Sequence, residues 1–289
     1  MPFARPQYLV ETEWLADHLE DKNVRVLECT VYLHPKPEGG YRVESGRAKW
    51  AEGHIPGAGF ADLPGDLSDR ASSLPYMMPL AEQFAEAMGR YGVGDGVRVI
   101  LYDRTVNMWA ARIWWMLRAF GFVNAAVLNG GWKKWTLEGR PVSTDAGARP
   151  PMRFLAAPRP ELIADKQAVL AGLGDNATCI LNALTEEQHR GTGGDAYGRA
   201  GRITGSKNVA ARDLVDPATH AYLPAETLRA KFRAAGALDA GRVITYCGAG
   251  IAASSDAFVL TLLGKDDVTL YDASLREWAN DPSLPMERD

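Results

Sequence analysis

The chain has 289 residues, 46% of them apolar and 24% charged, with a formal net charge of -4. That length builds one large domain or two of ordinary size, and the balance is that of a globular protein. The slight acidic excess excludes a general pull toward nucleic acid or anionic membrane, but a locally positive site for a small anion remains compatible with it.

The first half opens with a helix in TEWLADHLE from Thr12, a strand in VRVLECTV (24–31) and the loop AEGHIPGAGFADL. A helix over LAEQFAEAMGRYG (80–92), the strand VRVILYD (97–103), the long apolar helix MWAARIWWMLRAFGF and the segment AAVLNGGWKKW (125–135) follow. The second half repeats this order. ELIADKQAVLAGL reads as a helix, ATCILNAL as a strand, GRAGRITGSKNVAARDL as a loop and LPAETLRAKFRAAG as a helix. GRVITYC is then a strand and ASSDAFVLTLLG a helix, and VTLYDASLREW closes the half. Helices alternating with short apolar strands predict an α/β fold with mostly parallel sheets flanked by helices. No apolar run is long enough to cross a membrane, and MPFARPQYLV lacks the apolar core and cleavage site of a signal peptide.

The repeat keeps a nearly constant offset: Asp103 falls on Cys247, 144 residues on, and Trp135 on Trp278, 143 on. A preserved order at such spacing predicts two tandem domains, over 7–140 and 160–286. The Pro-, Gly- and Ala-rich stretch 141–159 links them and is long enough to wrap one domain. The helix WAARIWWMLRAF is expected at or beside the domain interface.

Cys29, Cys179 and Cys247 are too few and too scattered for a disulfide framework or a four-ligand zinc site, so no metal or cofactor is expected and a reducing, cytoplasmic setting fits. Cys29 and Cys179 read as buried spacers. Cys247 differs. VITYCGAGIAASSDAF is strand, tight turn and helix, which puts the cysteine at the carboxyl end of a strand, where open parallel sheets place ligands. Gly248 and Gly250 allow a sharp turn whose amides point inward, and a helix starting near Ala252 or Ala253 adds its positive end. Residues Gly248, Ala249, Gly250, Ile251, Ala252 and Ala253 thus form an anion cradle around the sulfur, expected to lower its pKa. No histidine adjoins the loop, unlike a cysteine protease, and CGAGIAA lacks the arginine of a phosphatase loop. A thiolate held by amides suits attack of sulfur on sulfur. The first half has Asp103 at this position, where a carboxylate cannot carry sulfur and is expected to repel an anion.

GHIPGA (53–58), LNGGWKKW (128–135), GRITGSKN, YCGAGIAAS and DASLREW together resemble the tandem-domain rhodanese family of thiosulfate and 3-mercaptopyruvate sulfurtransferases, over roughly residues 7–286. The resemblance implies two rhodanese domains, the second catalytic, and a Cys247 persulfide. Sulfur would come from a small anionic donor and pass to cyanide, a small thiol or a protein thiol. It also implies that Arg190, in HRG, binds the donor's anionic group. The family's second donor-binding arginine has no aligned match: Asp195 stands near its place, and Arg199 or Arg202 is the substitute. Asp62 matches an acidic residue near the cleft of mercaptopyruvate enzymes, with a loop cap as the other reading, and Tyr76 stands where those enzymes have histidine. CGAGIAA is nearest the mercaptopyruvate form CGSGVTA, yet Ala249 lacks the serine hydroxyl. The catalytic-domain strand ends NAL, with Asn182 and Leu184, rather than DAR or DSR. These departures favour thiosulfate or a similar small anion over 3-mercaptopyruvate. A non-enzymatic sulfur relay or protein-binding module is the alternative of another class. A monomer is expected, because two domains supply both walls of a cleft.

Overall fold

In the computed structural model, which describes residues 2–37, 40–146, 149–194 and 196–289, each half of the chain folds around its own five-stranded sheet. Asp195 lies outside the described residues. The first half runs β1 (Leu9–Val10), α1 (Thr12–Asp17), β2 (Val24–Glu28), β3 (Val31–Pro35), β4 (Tyr41–Ser45), α2 (Arg47–Glu52) and β5 (Gly59–Phe60). It continues through α3 (Ala81–Arg90), β6 (Arg98–Tyr102), α4 (Met108–Ala119), β7 (Ala125–Leu128) and α5 (Gly131–Leu137). Its main sheet has the order β1-β7-β6-β2-β5, every pair parallel.

The second half runs β8 (Ile163–Ala164), α6 (Lys166–Gly172), β9 (Thr178–Asn182), α7 (Glu186–Arg190), β10 (Arg202–Ile203), β11 (Lys207–Asn208) and α8 (Ala225–Ala234). β12 (Arg242–Tyr246), α9 (Ile251–Leu262), β13 (Val268–Tyr271), α10 (Ser274–Trp278) and β14 (Met286–Glu287) complete it. Its sheet, β8-β13-β12-β9-β11, repeats the first strand for strand and is again parallel. Matching bonds recur as well. Tyr102 and Tyr246 hydroxyls accept the amides of Ile55 and Ile203, and Trp135 and Trp278 indoles donate to the carbonyls of Pro141 and Pro285. Helices cover both faces of each sheet, so β2 is buried along its whole length.

The short helices α2 and α7 and the β3–β4 hairpin were not anticipated. The run read as a single strand over 24–31 ends at Glu28; after the Cys29 amide bonds to Tyr102, the chain leaves the sheet and forms the antiparallel hairpin β3–β4. Among the described residues the second half has no matching hairpin.

The linker wraps the first domain: Ser143 bridges to His54, Met152 and Ala157 amides donate to the carbonyls of Gly89 and Phe120, and Phe154 packs edge-on against Phe84. The domains meet along α4 and α9. Both helices are buried on nearly every face because each lies between its own sheet and the other domain. Trp114 and Phe258 meet edge-on there at 4.8 Å between ring centres, as the composition of α4 predicts. Among the described residues no helix is long and apolar enough to cross a membrane.

Candidate active site

Between the end of β12 at Tyr246 and the start of α9 at Ile251 there are four residues, Cys247, Gly248, Ala249 and Gly250. The helix therefore begins a turn-position earlier than the sequence predicts, with Gly250 as a left-handed N-cap at φ +75°. Both glycines are required by space. A Cβ on Gly248 would stand 2.2 Å from the Tyr197 ring, and one on Gly250 would stand 2.8 Å from Asp272 Oδ1.

Cys247 is 2% exposed at the base of a cavity of about 550 Å³. Burial pushes its thiol above the ordinary value; the amides of Ala253, Ala249 and Ala252 and the Ser274 hydroxyl pull the other way, but burial is the larger effect. This corrects the expectation of a lowered pKa: the cradle offsets part of the desolvation cost without reversing it. Cys29 and Cys179 are also pushed up by burial, Cys179 to about 11, and neither lines this cavity.

Ser274 is a site residue that sequence reasoning missed. Its hydroxyl accepts the amides of Cys247 (3.1 Å) and Gly250 (3.3 Å) and donates to the Tyr271 carbonyl, so it staples the loop to the turn after β13. Its own φ is +51°, the conformation of Gly131 (φ +49°), which occupies the corresponding place in the first half. The repeat offset pairs the two positions, and that is the signal by which Ser274 is detectable.

The cavity walls come from both domains. Leu33, Tyr41 and Val43 of the β3–β4 hairpin, Tyr76, Thr105, Val106 and Met108 face Leu184, Thr185, Gln188, Tyr197, Arg212 and Arg276. Arg276 and Arg212 are its cations, and among the described residues no Asp, Glu or His lines it. The Arg276 guanidinium lies 5.4 Å from the centre of the Tyr197 ring, and the Arg276 amide donates to the Gly248 carbonyl.

Of the residues singled out in the sequence, the loop 247–252 and Tyr76 are brought together here, with Ala253 directing its amide at the sulfur from the first turn of α9. Tyr76 is buried, with φ +62° and its hydroxyl pushed up to about 12 by burial. Arg190 lies elsewhere. It pairs with Glu186 at 2.5 Å and approaches Asp289, in a separate cavity on the other side of α7. Gln188 of that helix lines the Cys247 cavity, and two residues on, roughly 200° around the axis, Arg190 lies in the other one. Arg199 clamps the carbonyls of Trp278, Ala279, Asp281 and Leu284, and Arg202 pairs with Glu287 and Asp289. Asp62 approaches Arg47 at 3.8 Å and caps its own turn through Gly65, which is the loop-cap reading. Asn182 caps the end of its strand through the Leu184 amide.

In the corresponding loop of the first domain the Asp103 carboxylate fills the cradle. Oδ1 accepts the Thr105 amide and hydroxyl and the Asn107 amide, and Oδ2 accepts the amides of Trp109 and Ala110, all between 2.8 and 3.2 Å. The amides of the first-domain loop thus satisfy both oxygens of a carboxylate.

Fold and loop together define a duplicated α/β protein whose second half alone presents a cysteine in an anion cradle, facing a cavity that the first half completes. Comparison with known sequences and structures agrees. The chain belongs to the rhodanese family: the Rhodanese-like domain matches residues 11–138 and 166–281. It is 32% identical to a sulfur carrier protein, TtuD, of Thermus thermophilus, covering 100% of this chain and 99% of that one. It is also 32% identical to a thiosulfate sulfurtransferase of Bos taurus, covering 93% and 91%. The crystal structure of the 3-mercaptopyruvate sulfotransferase SseA from Escherichia coli superposes with a TM-score of 0.81 at 30% identity, over 92% of this chain and 98% of that one.

Proposed function

We propose that the protein is a sulfurtransferase in which Cys247 carries sulfane sulfur as a persulfide between a small anionic donor and a thiol or cyanide. The observation that carries this reading is a single cysteine enclosed by backbone amides and the Ser274 hydroxyl at the base of a cavity that contains cations and, among the described residues, no histidine. The names of the relatives support it. With thiosulfate, the Cys247 thiolate attacks the outer sulfur, the S–S bond breaks and sulfite leaves with the electron pair. The amides of the 248–253 loop then hold the charge of the persulfide as their counterparts hold Asp103. No proton is delivered to the leaving group, so the step needs no general acid.

Arg276 and Arg212 draw the anionic donor to the cavity, and Tyr76 shapes its wall; Arg190, Arg199, Arg202 and Asp62 are committed to other contacts. Thiosulfate is the first donor to test and 3-mercaptopyruvate the second, because Ala249 offers no hydroxyl to a keto group. The protein acts as a monomer, since one chain supplies both walls, and in the cytoplasm, where three free cysteines stay reduced. A purely protein-to-protein relay is the lesser reading, because the sulfur sits 2% exposed below the cavity mouth.

Incubation with thiosulfate followed by intact-mass measurement tests the proposal. The parent, Cys29→Ala and Cys179→Ala should each gain one sulfur atom that cyanide removes, while Cys247→Ser should gain none and show no turnover. A Cys247→Ser protein that still produces thiocyanate refutes it.

A further inference from the structure

Two arginines of the first domain lie together without a counter-charge. Arg25, on β2, is 6% exposed; its Nε and Nη1 donate to the carbonyls of Gly92, Lys22 and Val24, and its Nη2 has only the Met152 sulfur, at 3.9 Å. Arg149, on the linker, lines the same cavity of about 230 Å³. Neither forms an ion pair among the described residues, and no Asp or Glu among them lines the cavity. Arg90 also lines it, already paired with Asp66 and Glu86. Burial and the charge of Arg149 both hold the Arg25 pKa below its usual value, so the two guanidiniums act on each other. Buried charges are normally paired, and here a second cation stands where a carboxylate is expected. The backbone presses on both groups: a Cβ on Gly57 (φ +75°) would stand 3.3 Å from Arg149 Nη2, and one on Gly92 (φ +73°) would stand 3.1 Å from Arg25 Nε. The second half shows that the fold does not require this cluster. Its matching cavity is lined by Gly205 and Gly236, the counterparts of Gly57 and Gly92, but Cys179 stands in register with Arg25. The charged residues of that cavity are Asp175, Lys207 and Asp239, with no arginine among the described residues.

From this cluster we propose that the first domain binds a small tetrahedral oxyanion, phosphate or sulfate, between Arg25 and Arg149. A planar guanidinium donates paired N–H bonds to such an ion. At about 230 Å³ the cavity falls below the roughly 300–1,000 Å³ of sites that enclose drug-sized molecules, which selects the free ion over a phosphorylated organic molecule. Arg149 belongs to the linker and Arg25 to the sheet, so the ion ties the wrapped linker to the first domain. The site is separate from the one at Cys247, since the two cavities share no lining residue.

The test is equilibrium dialysis with radiolabelled inorganic phosphate at fixed ionic strength. Arg276→Gln protein serves as the parent, so that the Cys247 cavity has lost one of its two cations. A hydrogen bond to a charged group is worth roughly tenfold or more in affinity. Arg149→Gln added to that parent should therefore weaken phosphate binding by at least about tenfold. Sulfate should compete for the site, and glycerol 3-phosphate should compete more weakly. Urea unfolding gives a second readout, one that separates an ion site from a structural arginine. In chloride buffer Arg149→Gln should unfold at no lower urea than its parent, because Arg25 loses the like charge beside it; in phosphate the parent should be the more resistant. Phosphate stabilises folded proteins in general, and comparing the two proteins in the same salt removes that effect. Phosphate binding that is absent, or unchanged in Arg149→Gln, overturns the proposal, as does a urea midpoint lowered equally in both salts. Glycerol 3-phosphate bound more tightly than phosphate overturns the free ion as the occupant.

Discussion

Ser274 joins two strand ends through one hydroxyl, and two otherwise unpaired buried amides depend on it. Its replacement by alanine leaves those amides unsatisfied, at a cost of about 1–3 kcal/mol, and removes one of the bonds that pull the Cys247 thiol down. The sign for pH follows from the direction of that thiol's shift. A raised pKa means that the thiolate fraction, and with it alkylation by iodoacetamide, is still climbing at pH 9, above the ordinary thiol value of about 8.5. Ser274→Ala should move the rising limb further alkaline; a rate already level by pH 8 in the parent contradicts the burial argument. Cys247 is legible in the sequence because one local pattern, strand then glycine turn then helix, carries it. Ser274 and Arg276 come from a turn more than 25 residues further on, and only the parallel pairing of β12 with β13 brings them to the loop. Arg190 was expected at the donor site from the resemblance; in the structure it pairs with Glu186 outside the cavity, and its direction around α7 is not legible without coordinates.

The two cysteine-position loops show how one element serves both structure and chemistry. In the first domain the left-handed cap lies four positions after the strand-end residue, Asp103 to Asn107 (φ +65°); in the second it lies three positions after, Cys247 to Gly250. The extra residue lets the loop close around a carboxylate, which reaches further than a thiol. Asp103→Asn puts an N–H₂ group where Trp109 and Ala110 amides require an acceptor, and should cost about 2–3 kcal/mol in chemical denaturation. Asp103→Cys in a Cys247→Ser background should not recover sulfur transfer, because the longer loop is not shaped to a sulfur atom. Recovered activity would show that the cradle's amides suffice without that spacing. The longer strands and helices were legible in order, since each follows from an apolar run broken by glycine or proline; the two-residue strands and the short helices α2 and α7 were not. Nor was the hairpin: beyond Val31 its residues are half-buried or exposed, with no core face to mark them, and Tyr41 meets Tyr197 of the other domain.

Across the whole molecule the two domains are joined by reciprocal contacts at corresponding positions. Asn129 accepts the Tyr222 amide from the second domain, and Asp272 accepts the Met78 amide from the first. In the second of these the carboxylate also meets Arg112 of α4 at 2.6 Å, with both side chains almost wholly buried, and Arg112 donates to the Tyr76 carbonyl. The pair lies directly beneath Gly250, so the interface and the cysteine loop share a support. Removal of one partner leaves an uncompensated buried charge, and breaking such a pair costs about 3–5 kcal/mol. Arg112→Met and Asp272→Leu should each destabilise by that amount. The double variant should be worse than either alone by no more than about 1 kcal/mol, because no lone charge remains. Urea denaturation of the four proteins measures the coupling. Additive losses would mean that the two charges act separately, and that the loop rests on the domain interface through packing alone.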